Sequence, residues 1–280
     1  MKWGVIGHLV NRQRFELLNE YIGNAGHPSQ LVVMNPSLEE FPAMVKKSML
    51  EFDQLRIESP FRGLVSTVID KASSQTMHLQ CADALLQDRS TWWPRNVLYD
   101  SILRICADKF RSLDISSVIL IVGAGDSAQV ATAALIKLGF SHIRLTARNT
   151  EKGEALVAKM KKVFLKTQIE FVAPDMLTLL PGDNQILFNT TPCVTENELL
   201  EELYYFNYLK NEGIVVDIGL VPIKPRLLVE AFAVQANVIE GCELAARMDV
   251  IWCKMCLGID LPYESYLVAL RAKLSEPDAS

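Results

Sequence analysis

Residues 118–139 read VILIVGAGDSAQVATAALIKLG, and this stretch decides the fold class. Val118–Val122 is an apolar, β-branched run, which is typical of a strand buried on both faces. A Gly-x-Gly-x-x-Ala turn and an alanine-rich helical run follow it; the first glycine of such a unit makes the tight turn and the second lets a pyrophosphate approach. The stretch therefore predicts a bound dinucleotide. Its expected contacts are Gly123, Ala124, Gly125, Asp126, Ser127 and Ala128.

The residues after the next predicted strand, His142–Thr146, indicate which dinucleotide is bound. An NAD site usually places Asp or Glu there, about 20 residues beyond the glycines, to bind the ribose 2′-hydroxyl. This chain has Arg148 and Lys152 instead, while Glu151 opens the next helix and complements its dipole. A forked arginine contact and a nearby lysine charge suit a 2′-phosphate. The sequence therefore predicts NADP(H) as the coenzyme.

Composition limits the classes of function. The chain has 280 residues, is 50% hydrophobic, and carries a formal charge of −5 with a pI near 5.5. An acidic chain without a basic tract argues against nucleic-acid binding. No apolar window reaches the about 18 residues that a membrane span needs, and Met1–Gly7 reads as a strand, not as a signal peptide. We expect a cytoplasmic enzyme, a monomer or a homodimer, with a small-molecule substrate.

Cysteine and histidine spacing gives no metal-binding pattern. Cys253 and Cys256 form the one C-x-x-C pair, and they lie in the predicted apolar helix Leu244–Leu257. Without a second pair at ligand spacing, buried thiols are the better interpretation. We predict no metal site.

Strand and helix patterns alternate along the chain, which favours an α/β fold with parallel sheets. Residues 97–110 read as a helix that links two halves, and Tyr263–Leu274 as a closing helix. We expect a substrate-binding lobe over 1–96, a linking helix over 97–114, an NADP-binding domain over 115–261, and a helix over 262–280 that completes the first lobe. Gly63–Asp70 and Asp83–Gln87 are predicted as short strands, and residues 91–94 as a break.

Several motifs of the second half resemble the shikimate dehydrogenase family. The family's Gly-Ala-Gly-Gly-Ala loop appears here as Gly123-Ala124-Gly125-Asp126-Ser127, and its Asn-Arg-Thr-x-x-Lys clamp as Ala147-Arg148-Asn149-Thr150-Glu151-Lys152. Its Asn-Ala-Thr-Pro turn appears as Asn189-Thr190-Thr191-Pro192. Its Asp-x-x-Tyr-x-Pro segment with paired leucines and its late glycine correspond to Asp217, Leu220, Pro222, Leu227, Leu228 and Gly241. The resemblance implies an N-terminal α/β substrate lobe and a C-terminal doubly wound Rossmann-type NADP-binding domain. It adds Asn189, Thr190, Thr191, Pro192, Ile218 and Gly241 as coenzyme contacts.

The first half also resembles the family, but its functional residues are replaced. The lysine that ends the family's Val-Thr-x-Pro-x-Lys element is Arg62 here, and the partner aspartate is Leu98. The family's asparagine of the Asn-Thr pair is Asp83. A second register, with Lys71 as the lysine, requires a deletion before Asp83, so we reject it. The remaining replacements are Gln13 and Phe15 for two serines, Leu220 for a tyrosine and Met248 for a glutamine; with Leu98 they are the expected substrate contacts.

These replacements change the expected chemistry. Hydride transfer to a ketone needs a proton partner near pH 7; arginine stays protonated and leucine does not titrate. Arg62 can still polarise a carbonyl or clamp an anion, and Asp83 or Asp100 can take the acid–base role. Structural roles, a salt bridge for Arg62 and a strand-end hydrogen bond for Asp83, remain open.

The function that follows is an NADP(H)-dependent oxidoreductase acting on a small polar carbonyl, alcohol or imine other than shikimate. We expect a more apolar ligand, because Phe15, Leu98, Leu220 and Met248 replace polar groups. Two alternatives stay open: a genuine shikimate or quinate dehydrogenase, and a non-catalytic NADP-binding sensor or scaffold protein.

Overall fold

The computed structural model describes residues 1–69, 78–109, 113–192, 199, 203–221 and 224–276. The chain divides into two compact units: unit 1 comprises Met1–Asp100 and Ala246–Ser280, and unit 2 comprises Ser101–Ala245. Lys71 and Pro222, which entered the sequence interpretation, lie outside the described residues, as does the end of the predicted strand Gly63–Asp70.

In chain order the strands and helices are β1 (Lys2–Ile6), α1 (Arg12–Asn24), β2 (Gln30–Met34), α2 (Phe41–Glu51), β3 (Gln54–Ile57), β4 (Ala84–Asp88), β5 (Thr91–Arg95), α3 (Val97–Lys109), β6 (Val118–Val122), α4 (Asp126–Lys137), β7 (His142–Thr146), α5 (Thr150–Val163), β8 (Gln168–Phe171), β9 (Asn184–Asn189), β10 (Leu209–Asp217), α6 (Arg226–Ala233), β11 (Asn237–Ile239), α7 (Gly241–Leu257) and α8 (Tyr263–Ser275). Short 3-10 helices span Arg62–Thr67 and Pro174–Leu179.

Unit 1 contains a mixed sheet in the order β2-β1-β3-β4-β5. Strand β1 is parallel to β2 and β3, whereas β4 and β5 pair antiparallel. The prediction of parallel sheets in both halves is therefore wrong for this end of unit 1. The predicted break at 91–94 is also wrong: it forms β5, whose Trp92 and Pro94 alternate inward, and proline is tolerated there because β5 is the edge strand.

The predicted strand Gly63–Asp70 is wrong over its described residues, which form the 3-10 helix Arg62–Thr67. Two hydroxyls stabilise the helical turns: Thr67 donates to the Leu64 carbonyl at 2.7 Å, and Ser66 donates to the Gly63 carbonyl at 3.3 Å. Such local side-chain bonds compete with pairing in a sheet.

Unit 2 is a parallel six-stranded sheet in the order β11-β10-β9-β6-β7-β8. The chain winds outward from β6 through β7 and β8, then from β9 through β10 and β11, so the winding direction reverses between β6 and β9. Val122, at the end of β6, lies in register with Asn189, at the end of β9. In doubly wound sheets, ligands bind beyond the carboxyl ends of the strands at such a reversal. The α/β fold class with a doubly wound second half is confirmed.

Helix α7 crosses the boundary between the units. We predicted that residues 115–261 form one domain, but the helix from Ala246 onward belongs to unit 1. The reason is its packing: the Trp252 ring lies 5.0 Å from the Trp3 ring, and Asp249 pairs with Arg14. The predicted linking helix also begins in unit 1, which extends to Asp100. In the described part of the chain no helix is long and apolar enough to span a bilayer.

Candidate functional site

The turn after β6 lies at the point in unit 2 where the strand order reverses. Gly123 adopts φ +119°, and its N–H donates to the Thr146 carbonyl at 2.8 Å. A Cβ there would overlap Oγ1 of Thr190, whose hydroxyl donates to the Val122 carbonyl at 2.7 Å. Conformation and packing therefore both require glycine at this position.

Gly125 is a glycine that the protein itself does not require. Its φ of −94° is open to any residue, it is exposed, and a Cβ built on it would meet no atom of the described residues within 4 Å. It is the N-cap of α4 and supplies no side-chain acceptor to the first helical turn. A helix N-terminus that opens onto free space suits a phosphate group, and the missing side chain lets that group approach closely. Ala128, one turn on, is fully buried.

Arg148 and Lys152 flank the N-terminus of α5, just beyond the carboxyl end of β7. Both are exposed, and within the described ranges neither side chain forms an ion pair. Asn149 caps the helix, accepting from the Lys152 N–H at 2.8 Å. Gly153 allows the helix to pack closely on the Phe171 ring, which a Cβ would overlap. The local fold thus presents two cations at the edge where the sequence predicts a 2′-phosphate.

Asn189, a predicted coenzyme contact, forms hydrogen bonds within the protein at the carboxyl end of β9. Its side chain is fully buried; Nδ2 donates to Asp217 Oδ2 at 2.8 Å and to the Thr191 carbonyl at 3.0 Å. Its Oδ1 accepts from the Thr191 hydroxyl at 2.7 Å. Asn189 therefore fixes the turn that carries Thr190 and Thr191, and sequence reasoning missed Asp217 as its partner.

The remaining predicted coenzyme residues surround the same edge of unit 2. A Cβ on Gly241 would overlap the Gly219 carbonyl oxygen, so close packing alone explains this glycine. The Ile218 N–H donates to the Asn189 carbonyl at 3.2 Å. Ile218 and Leu220 are half-buried, and Pro192 is exposed.

In unit 1, Arg62 pairs with Glu58, a residue that sequence reasoning missed although the i,i+4 spacing was visible. The Arg62 Nη2 group donates to Glu58 Oε2, and Nε donates to the Ile57 carbonyl at 3.3 Å. Burial opposes ionisation of Glu58, but Arg62, Arg14 and Arg56 outweigh it and hold its pKa below the ordinary value. The Arg62 pKa is raised, because Glu58 and Asp83 outweigh burial. The pair is ionised at neutral pH.

Asp83 caps helix α3. It is fully buried; Oδ1 accepts from the Val97 N–H at 2.6 Å and Oδ2 from the Leu98 N–H at 2.8 Å. Burial raises the pKa of Asp83, although Arg56, Arg62 and the two N–H groups act against this. The structure thus brings Arg62, Asp83 and Leu98 together, and it gives Asp83 the strand-end hydrogen bonds that the sequence left open.

A second buried charge network lies beside this group. Arg14 donates to both carboxylate oxygens of Asp249, from Nε at 2.8 Å and from Nη2 at 2.6 Å. Arg56 adds a bond to Asp249 at 3.3 Å, and the Tyr266 hydroxyl adds one at 3.0 Å. The signal for it was an arginine inside the buried strand β3, which requires a buried partner.

The other predicted substrate and catalytic residues lie on the helices of unit 1. Phe15 is buried, edge-on to Trp3, with the Arg14 guanidinium 4.9 Å from its ring. Leu98 and Met248 are buried as well. Gln13 donates to the Glu276 carbonyl at 3.3 Å, and Asp100 lies in the first turn of α3. Among the described residues, no cluster of His, Cys, Asp and Glu is suited to a metal ion.

Comparisons with known proteins agree on one family. The family model for shikimate / quinate 5-dehydrogenase matches residues 104–227. The shikimate dehydrogenase (NADP(+)) of Chlorobaculum tepidum is 26% identical over 96% of this chain and 95% of its own length. That of Pyrobaculum islandicum is 21% identical over 82% of this chain and 81% of its own.

Solved structures of the same fold hold either coenzyme. Shikimate 5-dehydrogenase from Thermus thermophilus, in complex with NADP(H) and shikimate, has a TM-score of 0.78 at 17% identity, covering 98% of this chain and 99% of that one. Quinate dehydrogenase from Corynebacterium glutamicum, in complex with NAD, has a TM-score of 0.83 at 17% identity, with coverages of 97% and 99%. The glycine turn, the doubly wound unit 2 and relatives that align along most of their length support a member of the shikimate dehydrogenase family of oxidoreductases, whose family model matches residues 104–227 of this chain.

Proposed function

We propose that the protein is an NADP(H)-dependent oxidoreductase whose substrate is a small polar carbonyl, alcohol or imine other than shikimate. The coenzyme assignment rests on the presence of open space and two exposed cations at the same edge of unit 2. Among the described residues Gly125 has open space before it, and Arg148 and Lys152 are exposed. Gly125 lies beyond the carboxyl end of β6, and the two cations lie beyond that of the neighbouring strand β7.

The residues present fit NADP(H). The N-terminus of α4 behind Gly125 suits the pyrophosphate, and Arg148 with Lys152 suits the 2′-phosphate. Thr190 and Thr191, fixed by Asn189, would border the nicotinamide side. When bound, the coenzyme supplies or accepts the hydride. Solved structures of this fold bind NADP(H) or NAD, so the fold alone does not select the coenzyme. The cations Arg148 and Lys152 support the phosphorylated one.

The choice of substrate rests on unit 1. Arg62 stays protonated and can polarise a carbonyl oxygen as a fixed charge, but it does not shuttle a proton. Leu98 does not titrate. Asp83, whose pKa is raised by burial, is the better candidate for holding a proton beside Arg62; Asp100 is the second. A substrate whose reduction draws its proton from water, or an imine that is already protonated, tolerates this arrangement.

The test has a binding arm and a turnover arm. By titration calorimetry, NADPH should bind the wild type more tightly than NADH does. Arg148→Ala should weaken the binding of NADPH and leave the binding of NADH unchanged. Glu154→Gln, an exposed charge change in helix α5, which follows Arg148, is the matched control. Equal affinity for the two coenzymes would remove the assignment. NADPH oxidation is then screened against shikimate, quinate, ketones and imines.

A second candidate, a non-catalytic NADP-binding protein, is favoured by one observation. Both oxygens of Asp83 are used in capping α3, and Arg62 is paired with Glu58, so both groups already have structural partners. Turnover of any substrate that Arg62→Ala abolishes, with NADPH affinity retained, would reject this candidate. NADPH binding without turnover across the panel would support it.

A further inference from the structure

Asp126 introduces a negative charge into the glycine turn. It is the first residue of α4, is half-buried, and takes the place of the second of two adjacent glycines in the family loop. The helix is capped by Gly125, which has no side-chain acceptor, so Asp126 is the acidic group of its first turn.

A carboxylate at this position stabilises the protein without coenzyme and destabilises its complex with the coenzyme. Negative charge in the first turn stabilises a helix by complementing its dipole. A pyrophosphate bound at the same N-terminus draws on the same positive potential and is repelled by the carboxylate. The side chain therefore favours the empty helix over the occupied one.

We propose that Asp126 sets the coenzyme affinity of this protein by repelling the pyrophosphate, a role that rests on the proposed function. Both coenzymes carry the pyrophosphate, so the carboxylate lowers both affinities by the same factor. Arg148 and Lys152 act on the 2′-phosphate alone, so they set the preference between coenzymes. Affinity and selectivity are thus controlled by different residues of unit 2.

The test compares the wild type with Asp126→Asn, which removes the charge and keeps the side-chain shape. We expect NADPH and NADH each to bind roughly tenfold more tightly, the order expected when repulsion between two like charges in largely aqueous surroundings is removed. Their ratio should not change. The gain should shrink as salt rises from about 20 to about 500 mM, because added ions screen the repulsion.

A stability measurement separates this role from a merely structural one. Without coenzyme, Asp126→Asn should lower the Tm, because the helix loses its acidic first-turn residue. With saturating NADPH, the Tm of Asp126→Asn should instead exceed that of the wild type. Asp175→Asn, which removes a first-turn acidic residue from the 3-10 helix of unit 2, is the control and should not alter either affinity.

The outcomes are distinguishable. Unchanged or weaker NADPH binding by Asp126→Asn would overturn the role of Asp126, while the coenzyme assignment would stand on the wild type. Failure of both proteins to bind NADPH would remove the proposed function, and this inference with it. Tighter binding of NADPH alone would also contradict the inference, because it would place the carboxylate near the 2′-phosphate instead.

Discussion

The side-chain amide of Asn189 donates from Nδ2 to Oδ2 of Asp217 at 2.8 Å, and both side chains are fully buried. The bond ties the carboxyl end of β9 to the carboxyl end of β10. The other oxygen of Asp217 accepts from the Gly219 N–H at 2.6 Å, so one carboxylate holds two of the turns that border the candidate coenzyme site.

Asp217→Asn should destabilise the protein by about 2 kcal/mol, because an amide group replaces one of two buried acceptors and leaves a donor facing a donor. Urea unfolding of the full chain measures this loss. NADPH affinity should also fall, since the turns at Thr191 and Gly219 lose their common anchor. An unfolding midpoint equal to that of the wild type would contradict the anchoring role; Asp175→Asn provides the background for a surface change.

Two alanine substitutions in the glycine turn should separate binding from folding. Gly125→Ala places a methyl group in open space at an ordinary φ, so stability should be unchanged or slightly higher while NADPH binding is lost. Gly123→Ala meets Thr190 at φ +119° and should destabilise the protein by about 2 kcal/mol or more. Thermal unfolding with and without NADPH checks both. Retained affinity in a stable Gly125→Ala variant would exclude this turn as the pyrophosphate site.

The sequence predicted unit 2 well because local and global preferences agree there. The runs Val118–Val122 and His142–Thr146 are strands with the predicted ends. Strand β10 is harder to recognise: it begins at Leu209 and has a register shift before Ile214. Residues 210–212 are polar, and Glu212 adopts φ +59°, so only pairing with β9 identifies this part of the strand.

The structure of unit 1 was harder to predict from the sequence, because the wrong predictions concern segments whose conformation is set by tertiary packing. Strand β5 follows a two-residue turn in which Arg89 adopts φ +56°, without the glycine or asparagine that usually marks a hairpin. For the candidate site, the strand–glycine–helix pattern identified the glycine turn, and the resemblance to the family identified Arg62 and Asp83. Neither identified the pairing of Glu58 with Arg62 or of Asp217 with Asn189, because the partner of a buried carboxylate is recognisable only once both are placed in space.

Asp83→Ala should destabilise the protein by about 3 kcal/mol, because two N–H groups at the start of α3 lose their acceptor. Asp83→Asn keeps one acceptor and should lie between this variant and the wild type. Asp100→Asn, in the same first turn, is the control. If Asp83→Asn folds, binds NADPH and loses turnover while Asp100→Asn retains it, Asp83 handles the proton; retained turnover in Asp83→Asn confines it to capping.

Glu58→Gln should lower the free energy of unfolding at pH 7 by about 3 kcal/mol, because Arg62 loses its buried partner. The deficit should depend on pH. Folding lowers the pKa of Glu58, so its contribution is fully present above the unfolded value of about 4.3 and is lost as pH falls through the folded value. The difference between wild type and variant should therefore shrink between about pH 5 and pH 3.

Urea unfolding at pH 7, 5, 4 and 3 measures that difference, with Glu154→Gln as the control for the same substitution at an exposed position. Asp83, whose pKa is raised, shifts stability in the opposite sense, but it is present in both proteins and largely cancels in the comparison. A deficit of the same size at every pH would show that Glu58→Gln acts through packing. The Glu58–Arg62 pair would then hold no charge that folding stabilises.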